Sequence, residues 1–264
     1  MVGKFALDLV HPIVALVAAA ISSTQKSNQI GLHLKFKDHP LEASFIKRLN
    51  RFSVLIQLQN ETVTAHLPNS GRLGELLVPG RRCYILPALN PLRKTHYDLI
   101  LIETPNGLLT STDARLPNQL FAEAFHARLL SEFEDYSNLE REVVFQESRL
   151  DFRVTNTDRT CYVEVKSVTL VNEGIALFPD APTTRGTRHL NHLMELKQFG
   201  FEAAAVFWVQ RGDAVEVRSN RKSDPLFAET LAACQQNGVQ ILAYKSDVTV
   251  DGFEFIGRVP VVVV

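Results

Sequence analysis

Hydrophobic positions follow two different periods along this chain, and the change falls between residues 104 and 112. Before it, short apolar stretches alternate with turn residues, which is the pattern of β-strands. After it, strands alternate with segments whose apolar residues recur at helical spacing. We therefore predict an α/β (α+β) chain with a domain at residues 42–105, a second domain at residues 112–264, and an N-terminal extension at residues 1–41.

The first domain reads as short strands broken by turn chemistry. Five strands of this length suit a small closed barrel such as the oligonucleotide-binding (OB) fold. The segments concerned are RFSVLIQL, ETVTAHL, PNSGRLGELLVPG, RCYILPAL and HYDLILIE.

The second domain begins with an amphipathic pattern. Leu120, Phe121, Ala124 and Phe125 share one helical face, which predicts a helix over residues 118–134 with Asn118 as its N-cap. Further strands and helices of ten to fifteen residues alternate after it and predict a mixed sheet. The segments are REVVFQ, RLDFRVTN, CYVEVKSVTL, RGTRHLNHLMELKQF, AAAVFWVQ, DPLFAETLAACQQNG and VQILAY.

Composition and the N-terminus exclude several classes. The apolar stretch at residues 5–21 is interrupted by Asp8, His11 and Pro12, and its uninterrupted part is too short to span a bilayer, so we expect no membrane association. Three cysteines without paired spacing argue against disulfides and structural zinc, and they favour a reducing cytoplasm. No Walker loop, Gly-x-Ser-x-Gly or Gly-x-Gly-x-x-Gly motif is present.

Basic residues are concentrated locally, although the formal net charge is only -1. Between residues 44 and 97, eight basic residues stand against two acidic ones. This excess predicts that the first domain carries a surface that binds DNA or RNA. The sequence leaves open whether the protein forms a homodimer. The basic residues selected as nucleic-acid contacts are Arg48, Arg51, Arg93 and Lys94.

Two further segments are candidates for phosphate contact. In AHLPNSGRL, a small polar loop could face an anion, or it could be a simple turn. In ALFPDAPTTRGTRHL, cationic side chains stand at a helix start, although solvated arginines on an N-capped helix are the alternative. The selected residues are His66, Asn69, Ser70 and Arg72 in the first segment and Arg185, Arg188 and His189 in the second.

Three charged residues stand on strands predicted to be buried. If RLDFRVTN and CYVEVKSVTL pair as a hairpin, Asp151 and Glu164 converge, with Lys166 one strand repeat beyond Glu164. Two facing carboxylates repel, and a divalent cation with hard oxygen ligands, Mg²⁺ or Mn²⁺, resolves the conflict. The alternative is a solvated face with a weak ion pair. Glu123, on the preceding helix, is either a further carboxylate of this site or an ordinary exposed glutamate.

These residues resemble a known pattern. A helix carboxylate, an Asp opening one strand and Glu-x-Lys on the next are similar to the PD-(D/E)xK nuclease superfamily, with Leu150 in place of its usual proline. More specifically, the chain resembles the sugar fermentation stimulation protein A family. The segments that carry this resemblance are FIKRLNRF, AHLPNSGRL, NPLRKTHY, LPNQLFAEA, RLDF, CYVEVKSVTLV, ALFPDAPTTRGTRHL and ILAYKSDV.

The resemblance implies an OB-type barrel joined to a nuclease-like domain, DNA binding without sequence preference, and a link to the regulation of sugar, notably maltose, metabolism. It also implies that Asp151 and Glu164 are metal ligands, Lys166 the catalytic lysine and Glu123 an accessory acid. Three functions follow as hypotheses: a Mg²⁺- or Mn²⁺-dependent nuclease, a DNA-binding regulator that does not cleave, and a metal-dependent enzyme acting on a small phosphorylated metabolite.

Overall fold

The computed structural model describes residues 32–90 and 92–263. The apolar stretch at residues 5–21 and most of the predicted extension lie outside the described residues. Within them, no helix combines the length and the apolar character needed to cross a membrane.

The N-terminal domain is a closed barrel of five strands. The strands are β2 (Leu41–Asn50), β3 (Ser53–Leu58), β4 (Glu61–His66), β5 (Arg82–Pro87) and β6 (Tyr97–Glu103), and a short strand β7 (Leu109–Ser111) follows them. The strand order β4-β3-β2-β5-β6 closes through a parallel pairing of β4 with β6, and β7 pairs with the C-terminal half of β6. Buried side chains fill the interior, among them Phe45, Ile56 and Leu67.

One of the five predicted strands was placed wrongly. The segment PNSGRLGELLVPG forms turns, and the fifth strand is β2, which precedes the predicted set. β2 was missed because its alternation of buried residues stops at Phe45, where the first of two register shifts in its pairing with β3 begins. The closed five-stranded barrel is confirmed.

The C-terminal domain is built on a mixed seven-stranded sheet and a smaller four-stranded sheet. The large sheet comprises β1 (His33–Lys35), β8 (Asn138–Phe145), β9 (Ser148–Thr155), β10 (Thr160–Val168), β13 (Glu202–Val209), β15 (Gln240–Thr249) and β16 (Gly252–Arg258). The small sheet comprises β11 (Val171–Asn172), β12 (Ile175–Phe178), β14 (Glu216–Ser219) and β17 (Val261–Val262).

The large sheet has the order β1-β16-β15-β13-β10-β9-β8, with β10, β13 and β15 parallel and the outer pairs antiparallel. Its edge strand β1 comes from residues that we had assigned to the N-terminal extension. The α+β architecture is confirmed, and β10 is an interior strand between β13 and β9, covered on both faces.

Helices cover both faces of this sheet: α1 (Leu116–His126), α2 (Thr184–Gln198) and α3 (Pro225–Gln236). Phe121 and Phe125 of α1 pack with Val163 and Val165 on one face. On the other face, Leu190 and other apolar residues of α2 and α3 pack with Tyr162, Val168 and further strand residues. The residues of β10 therefore alternate between two cores.

The helix predicted over residues 118–134 is shorter than expected. α1 ends at His126, and a separate 3₁₀ turn follows at Ser131–Phe133. Asn118 is not its N-cap, because Arg115 occupies that position without a side-chain capping bond and Asn118 lies in the first turn. The side chain of Asn118 is thereby free to reach β9.

The barrel and the C-terminal domain are joined by hydrogen bonds through the loop after β4. Asn69 Nδ2 donates to the carbonyl of Thr112 at 3.1 Å, and Leu73 N donates to Asp180 Oδ2 at 3.1 Å. Gly71 lies between them, where an added Cβ would meet Asp180 Oδ2 at 2.6 Å. A side chain at residue 71 would therefore push this loop away from the C-terminal domain.

We expect Gly71→Ala to lower the free energy of unfolding by about 1 to 3 kcal/mol, since either Asp180 or the loop must move. Gly74→Ala is the matched control, because nothing lies within 4 Å of its added Cβ. Urea unfolding of both variants checks this, and equal stabilities would contradict the close packing of the loop.

Candidate active site

The two predicted carboxylates lie where β9 and β10 separate. The antiparallel ladder between these strands ends at the pair Phe152–Val163, one residue before Asp151 and Glu164. Asp151 Oδ2 accepts the backbone N–H of Val165 at 2.8 Å in place of a strand partner. Its carboxylate is thereby held against β10.

Asn118 holds the other oxygen of Asp151. Its Nδ2 donates to Asp151 Oδ1 at 2.7 Å, so α1 takes part in the site through an amide. Sequence reasoning missed this role because Asn118 also suits a helix N-cap. The sequence does hold one indication of this role: Asn118 belongs to a helix predicted to pack on the sheet that carries Asp151.

Glu164 lies on the opposite face of β10 from the α1 core, and it is only 3% exposed. Its Oε1 accepts from Lys166 Nζ at 2.5 Å and from His189 Nδ1 of α2. Its Oε2 is buried and has no hydrogen-bond partner in the described structure. The ion pair with Lys166 is therefore a buried contact, and the solvated-face alternative is wrong.

The two carboxyl groups have opposite pKa shifts. Burial and then the charge of Glu164 raise the pKa of Asp151 to about 6. For Glu164, burial acts upward, but the charge of Lys166 and the hydrogen bond from His189 lower its pKa to about 2. Glu164 is thus ionised at neutral pH, and Asp151 loses its proton only as the pH approaches neutrality. Groups whose environments separate their pKa values in this way are typical of functional sites.

Glu123 does not belong to this cluster. It is exposed on α1 and lies five residues after Asn118, which turns it about 140° around the helix axis. The position one turn beyond Asn118 is Ala122, which is buried. The prediction of an accessory acid at Glu123 is therefore corrected to an exposed helix glutamate.

His189 has a different position from the one predicted. It is 2% exposed and contacts Glu164, so it does not lie on a phosphate-binding surface. Arg185 and Arg188 are exposed at the start of α2, and Arg185 Nε lies 3.4 Å from His189 Nε2. α2 is capped by Thr183, whose Oγ1 accepts from Gly186 N at 3.0 Å.

Several predicted nucleic-acid contacts have internal partners instead. Arg93 forms a two-pronged ion pair with Asp98. His66 Nδ1 donates to the carbonyl of Phe52 at 2.9 Å. Arg48 uses all five of its N–H donors on backbone carbonyls. Those carbonyls belong to Asn50, Arg51, Asn69, Gly71 and Arg72.

The loop 69–71 is not an open anion site. Asn69 is buried, and its Oδ1 accepts from Gly71 N at 2.8 Å. The amide of Leu73 is taken by the Asp180 carboxylate, which itself repels an anion. Of the predicted contacts on the barrel, Arg51, Ser70, Arg72 and Lys94 are exposed.

A cleft of about 260 Å³ separates the barrel from the C-terminal domain. Arg51 and Ser70 line it from the barrel, and Lys166, Ser167 and Thr183 line it from the other side. Val165 and Lys166, which contact the two candidate carboxylates, line this cleft, whereas Asp151 and Glu164 themselves do not. Within residues 32–90 and 92–263, no three His, Cys, Asp or Glu side chains form a group able to hold a metal ion.

The fold and this cluster define a class: proteins that join an OB-type barrel to an α+β domain bearing a carboxylate–lysine hairpin. The chain belongs to the sugar fermentation stimulation protein family. Residues 46–110 match the description "SfsA N-terminal OB domain", and residues 115–252 match "Sugar fermentation stimulation protein RE domain".

Relatives support this membership over most of the chain. The sugar fermentation stimulation protein homolog of Moorella thermoacetica is 47% identical over 207 residues, which cover 78% of this chain and 89% of that protein. The homolog of Acetivibrio thermocellus is 40% identical over 233 residues, which cover 87% of this chain and 100% of that protein. The structure of Pyrococcus furiosus SfsA in complex with Ca²⁺ has a TM-score of 0.82 and 30% identity, and the match covers 88% of this chain and 99% of that one.

We expect Asp151→Asn to gain stability relative to the unchanged protein as pH rises from about 4 to 7. The raised pKa means that the folded state binds a proton more tightly than the unfolded state, so stability falls as pH rises from about 4 through about 6. Replacing the carboxylate removes this cost, by up to about 3 kcal/mol at pH 7 and by little near pH 4.

Urea unfolding at several pH values measures the difference between Asp151→Asn and the unchanged protein. Asp158→Asn, in the exposed turn between β9 and β10, controls for the loss of a charge. A difference that does not grow between pH 4 and pH 7 would show that Asp151 is not destabilised by its surroundings.

Proposed function

We propose that this protein is a divalent-cation-dependent phosphodiesterase acting on nucleic acid. The observation that carries the proposal is the unpartnered, buried Oε2 of Glu164 beside Asp151. Such an atom costs free energy in the folded protein unless a ligand uses it. A cation bound by both carboxylates would satisfy it. The next two residues of the strand after Glu164, Val165 and Lys166, line the cleft.

The residues present fit a hard divalent cation. Carboxylate oxygens are the ligands that Mg²⁺ and Mn²⁺ prefer, and Mg²⁺ sites use one or two carboxylates with waters and phosphate oxygens completing the shell. Asp151 and Glu164 would hold the cation, and two carboxylates are enough for a Mg²⁺ site of this kind. The Ca²⁺ complex of the Pyrococcus furiosus relative supports a divalent cation in this family. When bound, the cation would neutralise phosphate charge and lower the pKa of a bound water.

The chain's own residues would then divide the remaining work. Lys166, held by Glu164 Oε1 at the cleft wall, would place an ammonium charge where negative charge develops on the phosphate. Asn118 and the amide of Val165 would keep Asp151 oriented and favour its ionised form.

The barrel would hold the nucleic acid strand. Arg51 lines the same cleft as Lys166, and its guanidinium lies 5.4 Å from the ring centre of Phe52. Phe52 is 47% exposed, so a base could stack on it while Arg51 contacts a phosphate. Arg72 and Lys94 would add charge on the barrel surface.

A second candidate is the DNA-binding regulator that does not cleave. It is favoured by the small number of ligands in the described residues, where no three acidic, His or Cys side chains form a metal group. In that case the cations of the barrel matter and the carboxylates do not. The two experiments below separate these functions.

For cleavage, we expect hydrolysis of DNA or RNA that requires Mg²⁺ or Mn²⁺ and is lost with chelator. Asp151→Asn, Glu164→Gln and Lys166→Met should each lower the rate at least about 100-fold, because each removes a cation ligand or a transition-state charge. Glu123→Gln should keep full activity, since that residue lies outside the cluster. Activity that survives Glu164→Gln and Lys166→Met would refute the catalytic assignment.

For binding, we expect labelled oligonucleotides to bind in chelator with an affinity that falls steeply with salt. Arg51→Ala and Phe52→Ala should weaken binding at least about fivefold, the lower end of the range for loss of a stacked base. Phe199→Ala is the matched control, because Phe199 is 66% exposed on the C-terminal domain. Equal losses in all three variants, measured by fluorescence anisotropy, would argue against a path along the barrel.

A further inference from the structure

The sequence predicts His189 as a phosphate contact, but in the structure its side chain is buried against Glu164. We propose that His189 is a positioning residue for the cation site: it fixes Glu164 so that one carboxylate oxygen is reserved for internal donors and the other for the cation. This inference rests on the proposed function, since it assigns a task within the proposed cation site.

The position of His189 is set by α2 and not by solvent. The imidazole is 2% exposed, and the next residue, Leu190, is fully buried in the core between α2 and the sheet. Its Nδ1 faces Glu164 Oε1, and its Nε2 faces Arg185 Nε at 3.4 Å. Both ring nitrogens are therefore occupied.

These contacts assign the tautomer of His189. The arginine Nε–H can only donate, so His189 Nε2 must accept and cannot carry a hydrogen. The proton of the neutral imidazole is then on Nδ1, where it donates to Glu164 Oε1. Arg185, one turn before His189 on α2, thus fixes the tautomer that points the Nδ1–H of His189 at the Glu164 carboxylate.

A fixed donor is needed because the carboxylate can turn. The last torsion of a glutamate side chain is broad, and Lys166 donates from a flexible stem that can follow either oxygen. His189 donates from a rigid ring anchored in the core. With both donors on Oε1, the second oxygen, Oε2, is left without a partner. The structure therefore presents a single oriented oxygen for a cation.

The magnitude of this effect follows from other metal sites. Residues that orient metal ligands through hydrogen bonds typically contribute 10- to 100-fold in metal affinity. We expect His189→Leu, which removes the donor and keeps an apolar side chain, to weaken Ca²⁺ or Mn²⁺ binding by at least about tenfold. His189→Asn should bind within about threefold of the unchanged protein, because the asparagine amide nitrogen has the same bond separation from Cα as Nδ1.

His189→Gln is the matched control for His189→Asn. Its amide nitrogen corresponds in reach to Nε2, so it should not restore the contact and should bind the cation as weakly as His189→Leu. Both variants are polar and similar in size, so a merely structural role would not separate them. Even if His189→Leu does not fold, the Asn and Gln variants decide the question.

The experiment is isothermal titration of the full chain with CaCl₂ and with MnCl₂, without nucleic acid, so that cleavage plays no part. Histidine-labelled NMR of the cation-free protein gives a second readout, with the Nδ1–H tautomer expected for His189. The inference is overturned by an Nε2–H tautomer, by equal affinities in all three variants, or by equal losses in Asn and Gln.

The outcomes separate this inference from the proposed function. If the unchanged protein binds neither cation, both fail. If the cations bind, His189→Asn binds like the unchanged protein and the Leu and Gln variants lose affinity, the positioning role stands even when no nucleic acid is cleaved. If cleavage occurs and depends on Glu164, but affinity is indifferent to residue 189, only the positioning role fails.

Discussion

The constraint on which the site depends is the burial of an ionised carboxylate that is paired on one side only. Glu164 is held in an interior strand of the large sheet, where a charge is costly unless donors surround it. Lys166 and His189 satisfy Oε1, whereas Oε2 remains unpaired. Burial acts upward on both carboxyl groups, but Lys166 and His189 outweigh it at Glu164 and lower its pKa to about 2. Burial and the charge of Glu164 raise the pKa of Asp151 to about 6.

Each of the surrounding elements contributes one contact to this arrangement. The hairpin of β9 and β10 separates just before Asp151, so its carboxylate can take the amide of Val165. α1 supplies the amide of Asn118 from one face of the sheet, and α2 supplies His189 from the other. The site is therefore held from three directions by packed elements, which is how a catalytic or binding site is kept in one geometry.

The barrel side of the cleft is kept rigid by similar means. Arg48 joins the β2–β3 turn to the loop after β4 through backbone carbonyls, and Asp180 of the C-terminal domain receives the amide of Leu73. Arginines that looked like phosphate contacts in the sequence are thus divided into two groups. Arg48 and Arg93 hold loops in place, while Arg51 and Arg72 are left exposed. The exposed group is the one to which the proposed function assigns contact with nucleic acid.

By itself, the sequence indicated the class of fold through strand periodicity and turn chemistry, which are local properties. It indicated the family through the resemblance of whole segments, and it offered the convergence of Asp151, Glu164 and Lys166 as a hypothesis beside a solvated strand face. Only the tertiary structure decided which polar side chains converge on these residues. The sequence does not distinguish which polar side chains on the helices reach the site. The phase of each helix brings Asn118 and His189 to the sheet and turns Glu123 to solvent. Likewise, only the tertiary structure showed that Arg48 donates to backbone carbonyls. Three of these carbonyls, those of Asn69, Gly71 and Arg72, are distant in the chain and leave no local pattern in the sequence.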